Sequence, residues 1–268
     1  MGANTKILRT RIKSVNSTLH LTKAMGLVAS SKIRKATLSM TKSKEYSDAL
    51  SKAVSVLCSS DECKKSPFLR KSNDENGVLI VIAGDRGLAG GYNANVFRLL
   101  SQYEDFNKIP IGKRACERLG AEIQSSEHFS SDDAVKLSDE LCLKFENGDI
   151  DKVGILYTEY KNMMSQEAKV DWILPLQTNA DKKGGAGIIF EPDEQSVLPV
   201  AVREYVTGKI VAAVRESFAC EVVARKMAMD SAGKNATQMI DDLTLLYNRA
   251  RQGAITQEIT EIVAGSGD

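Results

Sequence analysis

Residues 224–268, ARKMAMDSAGKNATQMIDDLTLLYNRARQGAITQEITEIVAGSGD, form the stretch whose reading decides the fold. Met229, Ala232, Ala236, Met239, Leu243, Leu246 and Ala250 recur at alternating steps of three and four, with no proline among them. Such a seam holds one face of a helix against a partner helix over three heptads. A core helix of a globular domain can carry the same pattern, so this end alone leaves both readings open. The other end of the chain separates them.

Residues 3–57 read as one long helix. Leu8, Ile12, Val15 and Leu19 step by four, three and four, and so do Ala29, Ile33, Ala36 and Met40, then Tyr46, Leu50, Ala53 and Leu57. The stripe drifts between these sets, as it does when a 3.6-residue helix curls around a partner. At 1.5 Å per residue this helix is ~80 Å long and must bend or protrude. Residues 58–76 are polar, lack a period and read as a linker. After Pro199 a helical pattern resumes through Val206, Ile210, Ala213, Val214 and Phe218 into the heptads. From about residue 200 to 264 it spans ~95 Å.

Between these ends the composition changes, and all five prolines fall between positions 67 and 199. Residues 78–83 (VLIVIA) are a short apolar β-branched run, the mark of a buried strand. A glycine-rich turn at 84–91 and a helix from about 93 to 106 follow. Helices near 112–119 and 131–146 come next, then strands at 152–160 and 168–174. Alternating elements of this kind make a compact α/β unit. The expected fold is a long antiparallel coiled coil, 1–60 pairing with 200–268, joined to a Rossmann-like α/β globular domain over 77–198.

The chain carries 36 basic and 35 acidic residues, and their placement is uneven. Lys6, Arg9, Arg11, Lys13, Lys23, Lys32, Arg34, Lys35, Lys42 and Lys44 precede the first acid, Glu45. Nucleic acid is one partner for such a helix, although no aromatic stacking platform occurs before Tyr46. A membrane surface is a second, although the apolar face lacks large anchors. An acidic protein surface that the helix docks against or slides past is the third. The five cysteines are scattered and odd in number, without metal-ligand spacing, and read as reduced structural thiols. Cys58 and Cys63 are near enough in sequence to pair, but buried free thiols fit better. No apolar run approaches the ~18–20 residues of a membrane span. The basic start is not followed by the apolar block of a signal peptide, and it runs too long for a transit peptide.

The turn at 84–91 sits where a phosphate loop would, after a strand and before a helix. Its glycines stand at 84, 87, 90 and 91, outside the G-x-G-x-x-G spacing and without a G-K-[ST] ending. A tight strand-to-helix crossover is the better reading. Neither G-x-S-x-G nor H-E-x-x-H occurs, so an enzyme acting alone is not expected, and no cofactor is. Between 253 and 267 the only charges are Glu258 and Glu261, and Ala254, Ile255, Ile259, Ile262 and Val263 leave the helix apolar on more than one side. Such a helix must be buried. As a terminal segment it should insert into an apolar collar supplied by partners.

Residues 22–25 (TKAM) with 28–35 (VASSKIRK), 84–93 (GDRGLAGGYN) and 247–263 (YNRARQGAITQEITEIV) closely resemble the gamma subunits of F-type ATP synthases. The resemblance covers essentially the whole chain, in order. It implies a non-catalytic rotor shaft whose paired terminal helices stand inside a ring of three alpha and three beta subunits. The α/β part would bind epsilon and the membrane ring of c subunits, without nucleic acid or a small-molecule substrate. Arg251, Gln252, Thr256 and Glu261 match family positions that hydrogen-bond a catch loop near the base of beta. Lys23, Met25, Lys32, Arg34 and Lys35 match the region facing the acidic lever of beta. Gly26, Gly253 and His20 depart from the usual pattern, and the two glycines imply a locally softer shaft. The start and length fit a bacterial member, peripheral on the cytoplasmic face of the plasma membrane. The reading from another class is a basic coiled-coil scaffold or nucleic-acid-binding protein.

Overall fold

The structure, a computed structural model, describes residues 3–70, 76–177 and 190–265. Its elements run α1 (Ala3–Cys58), β1 (Gly77–Ile82), α2 (Tyr92–Leu100), β2 (Asn107–Ile111), α3 (Lys113–Leu119), α4 (Ser131–Asn147), β3 (Lys152–Tyr160), β4 (Gln166–Leu174) and α5 (Glu194–Gly265). They fall into two compact units: residues 31–224, and the described residues up to Ser30 together with those from Arg225 onward.

In the larger unit the strands order as β2-β1-β3-β4. β1 runs parallel to β2 and β3, and β4 returns antiparallel to β3. β1 is buried along its whole length, and its alternation divides the core. Val78, Ile80 and Ile82 pack in one cluster with Val54 and Leu57 of α1, Leu141 and Phe145 of α4, and Val202, Val206 and Ile210 of α5. Leu79 and Val81 pack in the other with Val96 and Leu100 of α2, Ala115 of α3 and Trp172 of β4. The crossovers through α2 and through α4 therefore lie on opposite faces. That is what crossovers of one hand require when β1→β2 and β2→β3 run in opposite directions across the sheet.

The expected α/β elements are present, with three differences. β2 was not anticipated because Pro110 interrupts its pattern; it is an edge strand, where a missing N–H is tolerated. α2 stops at Leu100, six residues short of the expected end. Tyr103 and Phe106 instead turn back onto Trp172, with ring centroids 6.0 and 5.4 Å from it. α5 begins at Glu194, ahead of Pro199. The Asp193 carboxylate caps it by accepting from the Ser196 N–H at 2.8 Å, so the proline costs one early helical bond.

The segment read as a linker is docked where it is described. Two 3-10 turns, Glu62–Lys65 and Pro67–Leu69, bury Cys63 and Phe68. Phe68 stacks on Phe145 at 6.0 Å, and its carbonyl accepts from the Leu176 N–H at 2.8 Å. Residues 71–75 lie outside the described ones. All five cysteines are free and buried, and burial pushes the Cys58 and Cys142 thiols up to about 11.

In the smaller unit α1 and α5 pack antiparallel. A Cβ on Gly26 would meet Met229 at 3.6 Å, and one on Gly233 would meet Thr22 at 3.7 Å. Leu8, Ile12, Val15 and Leu19 are half-buried or buried, as their spacing predicts. On α5 the seam departs from the expected heptad after Ala236. Met239 and Leu246 are about half exposed, at 52% and 49%, while Ile240 and Tyr247 turn inward. One step of four in place of three keeps a 3.6-residue helix facing its partner.

Gly154 of β3 is required by close approach, because a Cβ there would stand 2.6 Å from the Trp172 ring. Gly154→Val is expected to destabilise the protein by about 1–3 kcal/mol through overpacking. Urea unfolding followed by the fluorescence of Trp172, the single tryptophan, measures it. An unchanged midpoint would refute the packing argument.

Candidate functional site

The glycine-rich turn leaves the carboxyl end of β1, beside β3. This is the point where the strand order reverses, the crevice in which open α/β sheets hold ligands. Here the chain's own last helix fills it. The Gly84 N–H donates to Asn93 Oδ1 at 2.9 Å, and the Asp85 and Arg86 N–H groups reach the two oxygens of Glu221 at 3.4 Å each. A Cβ on Gly84 would stand 2.7 Å from the Glu221 carboxyl carbon. The backbone donors that a phosphate loop offers to a ligand are thus engaged at 84–86 by a carboxylate and an amide from within the chain.

Asp85 works outward from the same turn. Its carboxylate accepts from the N–H groups of Lys113, Ser126 and Glu127 at 2.9–3.0 Å and from the Ser125 hydroxyl at 2.6 Å. Burial alone would raise this carboxyl, but donation from Ser125, Glu127, Lys113 and Ser126 outweighs it and holds the group below the usual carboxylate range. Asp85 so ties the start of α3 and the loop at 125–127 to the end of β1.

That loop reaches the basic helix. Glu127 pairs with Lys32, which is half-buried, and Lys44 lies 3.7 Å from the buried Glu216. Arg34 and Lys35 are exposed. Lys32 and Lys35 line a cleft of about 460 Å³ together with Glu127, His128, Arg215 and Phe218. Part of the basic stretch is therefore balanced within the chain, through Glu127 and Glu216, which sequence spacing could not reveal.

In the smaller unit Lys23 is exposed and Met25 half-buried beside the seam, while Arg251, Gln252, Thr256 and Glu261 are all exposed on α5. Gly26 lies level with Met229, so Arg251 lies about 30 Å further along the coil by helical rise. The two groups of expected contact residues make two places on the helices and not one site. Continuing the register, α5 beyond about residue 252 runs past the start of α1. Ile255, Ile259, Ile262 and Val263 are accordingly exposed. Among the described residues, no helix is long and apolar enough to cross a membrane, and no group of His, Cys, Asp and Glu is arranged to hold a metal ion. Sequence reasoning missed Glu216, Ser217 and Glu221; the single hint was Gly84, whose lack of a side chain makes room for Glu221.

A family model described as ATP synthase matches residues 4–267. The ATP synthase gamma chain of Ruminococcus albus is 39% identical over 98% of this chain and 98% of its own. Among solved structures, the chain is similar in fold to one in the Euglena gracilis mitochondrial ATP synthase OSCP/F1/c-ring structure (TM-score 0.67, 16% identity, 99% of this chain and 94% of that one). It is also similar to one in the Tetrahymena thermophila mitochondrial ATP synthase central stalk/c-ring structure (TM-score 0.59, 21% identity, 79% and 99%).

Asp85→Asn is expected to cost about 1–3 kcal/mol at neutral pH, because a charged acceptor is lost from bonded N–H groups. Asp85 has a folded-state pKa below its unfolded one. Its contribution is therefore full above the unfolded value and lost as pH falls through the folded one. Denaturation from neutral to acid pH should show the gap between parent and variant closing as pH drops. A gap that is constant or widens would rule out the Asp85 staple.

Proposed function

The chain belongs to the ATP synthase gamma-chain family, the non-catalytic central-stalk subunits of F1Fo ATP synthase, and we propose that it turns as a shaft inside a ring of alpha and beta subunits. The observation that carries the proposal is the uncovered end of α5. Ile262 and Val263 are 69% and 65% exposed, and Ile255 and Ile259 about half. Apolar side chains on several sides of one helix are stable only when enclosed. A collar built from alpha and beta subunits encloses them without directional bonds, so the tip can rotate.

The polar residues below that tip have a different task in this reading. Arg251, Gln252, Thr256 and Glu261 meet a catch loop of beta, and Arg251 supplies the planar fork suited to a carboxylate or carbonyl pair. Lys23, Met25, Lys32, Arg34 and Lys35 face the acidic lever of beta, a cation-rich cam attracted to an anionic follower yet able to slip. The paired helices 1–60 and 200–268 serve as the shaft, and the α/β domain over 77–198 takes up epsilon and the c ring. Ion flow turns that ring, and the off-centre coil drives each beta subunit through open and closed states. The chain itself stays peripheral, on the cytoplasmic face of a bacterial plasma membrane.

Reconstitution tests the proposal. Mixed with its alpha and beta subunits, the chain is expected to give a six-plus-one complex with cooperative ATP hydrolysis far above that of alpha and beta alone. No complex, together with salt-sensitive DNA binding by the purified chain, would favour the basic scaffold instead. Arg251→Ala with Gln252→Ala should weaken the chain's hold in the complex by about tenfold or more, since hydrogen bonds involving a charged group are worth about 1.5–3 kcal/mol. Undiminished ATP synthesis and torque in that variant would remove the catch assignment.

A further inference from the structure

One turn of α5, residues 216–221, places four polar side chains against backbone groups of the sheet. The Tyr160 N–H donates to Glu216 Oε1 at 2.9 Å, and the Thr158 N–H donates to the Ser217 hydroxyl at 3.1 Å. The Cys220 thiol donates to the Thr158 carbonyl at 3.4 Å. Glu221 receives the N–H groups of Asp85 and Arg86, and the Tyr92 hydroxyl donates to the Ser217 carbonyl at 3.0 Å. Ser217 and Glu221 are 1% and 2% exposed, and Cys220 and Glu216 are equally shut from water.

The register of the sheet explains why these groups were available. β3 pairs with β4 through Tyr160 but with β1 only as far as Leu156, opposite Val81. Beyond that point β3 has a free edge on the β1 side, where the buried Thr158 and the half-buried Tyr160 present backbone groups without a strand partner. Side chains of a helix take the place of the missing strand. In doing so they fill the ligand crevice of the doubly wound sheet.

We propose that residues 216–221 form a torque latch, fixing the rotational angle of α5 against the sheet so that helix and α/β body turn as one piece. The inference rests on the shaft reading above. The apolar packing of Val206, Ile210, Ala213 and Val214 holds α5 onto the sheet but is non-directional, and it resists separation more than twist. Hydrogen bonds have angular preferences, and leaving a buried partner unpaired is costly. The latch residues resist a twist of the helix about its own axis at the sheet, and Ser138 donating to the Arg203 carbonyl and Arg215 donating to the Phe129 carbonyl add directional bonds to other elements.

The test uses the assembled complex of this chain with its alpha and beta subunits, the ring immobilised and a bead attached through Met164→Cys. Met164 is 80% exposed in the β3–β4 turn, and the native thiols are all buried, so the label goes to one place. With rotation stalled, the angular variance of the bead reports torsional compliance. Ser217→Ala and Glu221→Gln, both small changes, are each expected to raise that variance at least about twofold, because each removes or weakens a buried directional bond. Both should keep the parent's rate of ATP hydrolysis, and amide exchange at Thr158 should speed up in Ser217→Ala. Variance equal to the parent's in both variants, with the parent rotating under ATP, overturns the latch and leaves the shaft reading intact. Unchanged exchange at Thr158 overturns it as well. A parent complex whose bead never rotates under ATP overturns the shaft reading, and the latch falls with it.

Discussion

One face of the sheet cannot exist without the long helices. Val78, Ile80 and Ile82 point toward α1, α4 and α5, and the cover they receive comes in large part from Val54, Leu57, Val202, Val206 and Ile210. Each such side chain contributes roughly 1.5–3 kcal/mol when fully buried. Losing either helix would bare a β-branched surface that no other described element replaces. The larger unit therefore includes stretches of α1 and α5 as well as the α/β elements, and its boundaries at residues 31 and 224 lie within those helices. A body built this way carries with it the stretches of α1 and α5 that lie inside it.

Polar seating then refines what apolar cover began. Doubly wound sheets leave a crevice where the strand order reverses, and this crevice suits ligands because backbone donors converge on it. In this chain the donors at Asp85 and Arg86 meet Glu221, and the free edge of β3 meets Ser217 and Glu216. Asp85 turns the other way and gathers the backbone of Lys113, Ser126 and Glu127. One carboxylate, Glu221, thus accepts from the glycine-rich turn, and a second, Asp85, ties that turn to α3 and the loop at 125–127.

Much of this could be read from the residues, and the exceptions have physical causes. Long helices at both ends, the buried strand at 78–83 and β3 followed from period and β-branching. β2 did not, because Pro110 is acceptable only on an edge and edge placement is a tertiary fact. Phe68 looked like linker because one aromatic among polar residues carries no period; its stack on Phe145 made it structural. Met239 and Leu246 fit a strict heptad, yet Ile240 and Tyr247 face the partner, since a nearly straight helix drifts from a 3.5-residue repeat. At the site, the run of cations from Lys6 to Lys44 ahead of the first acid was legible from charge placement. The pairing of Lys32 with Glu127 was not, because the two residues meet only through the fold. Glu221 was hidden for the same reason.

Two stretches of the described α5 use their side chains differently. At 216–221 its polar side chains reach outward to backbone groups of other elements, and the bonds are buried and directional. Within 252–261 several polar side chains bond along the helix: the Thr256 and Thr260 hydroxyls donate to the carbonyls of Gln252 and Thr256, and Gln257 donates to Glu261. That end presents Ile255, Ile259, Ile262 and Val263 alongside the exposed Arg251, Gln252 and Glu261. Apolar surface gains from enclosure whatever the angle of the enclosing wall, because the hydrophobic effect has no direction. The hold on α5 at 216–221 therefore depends on angle, and the gain from covering its apolar end does not.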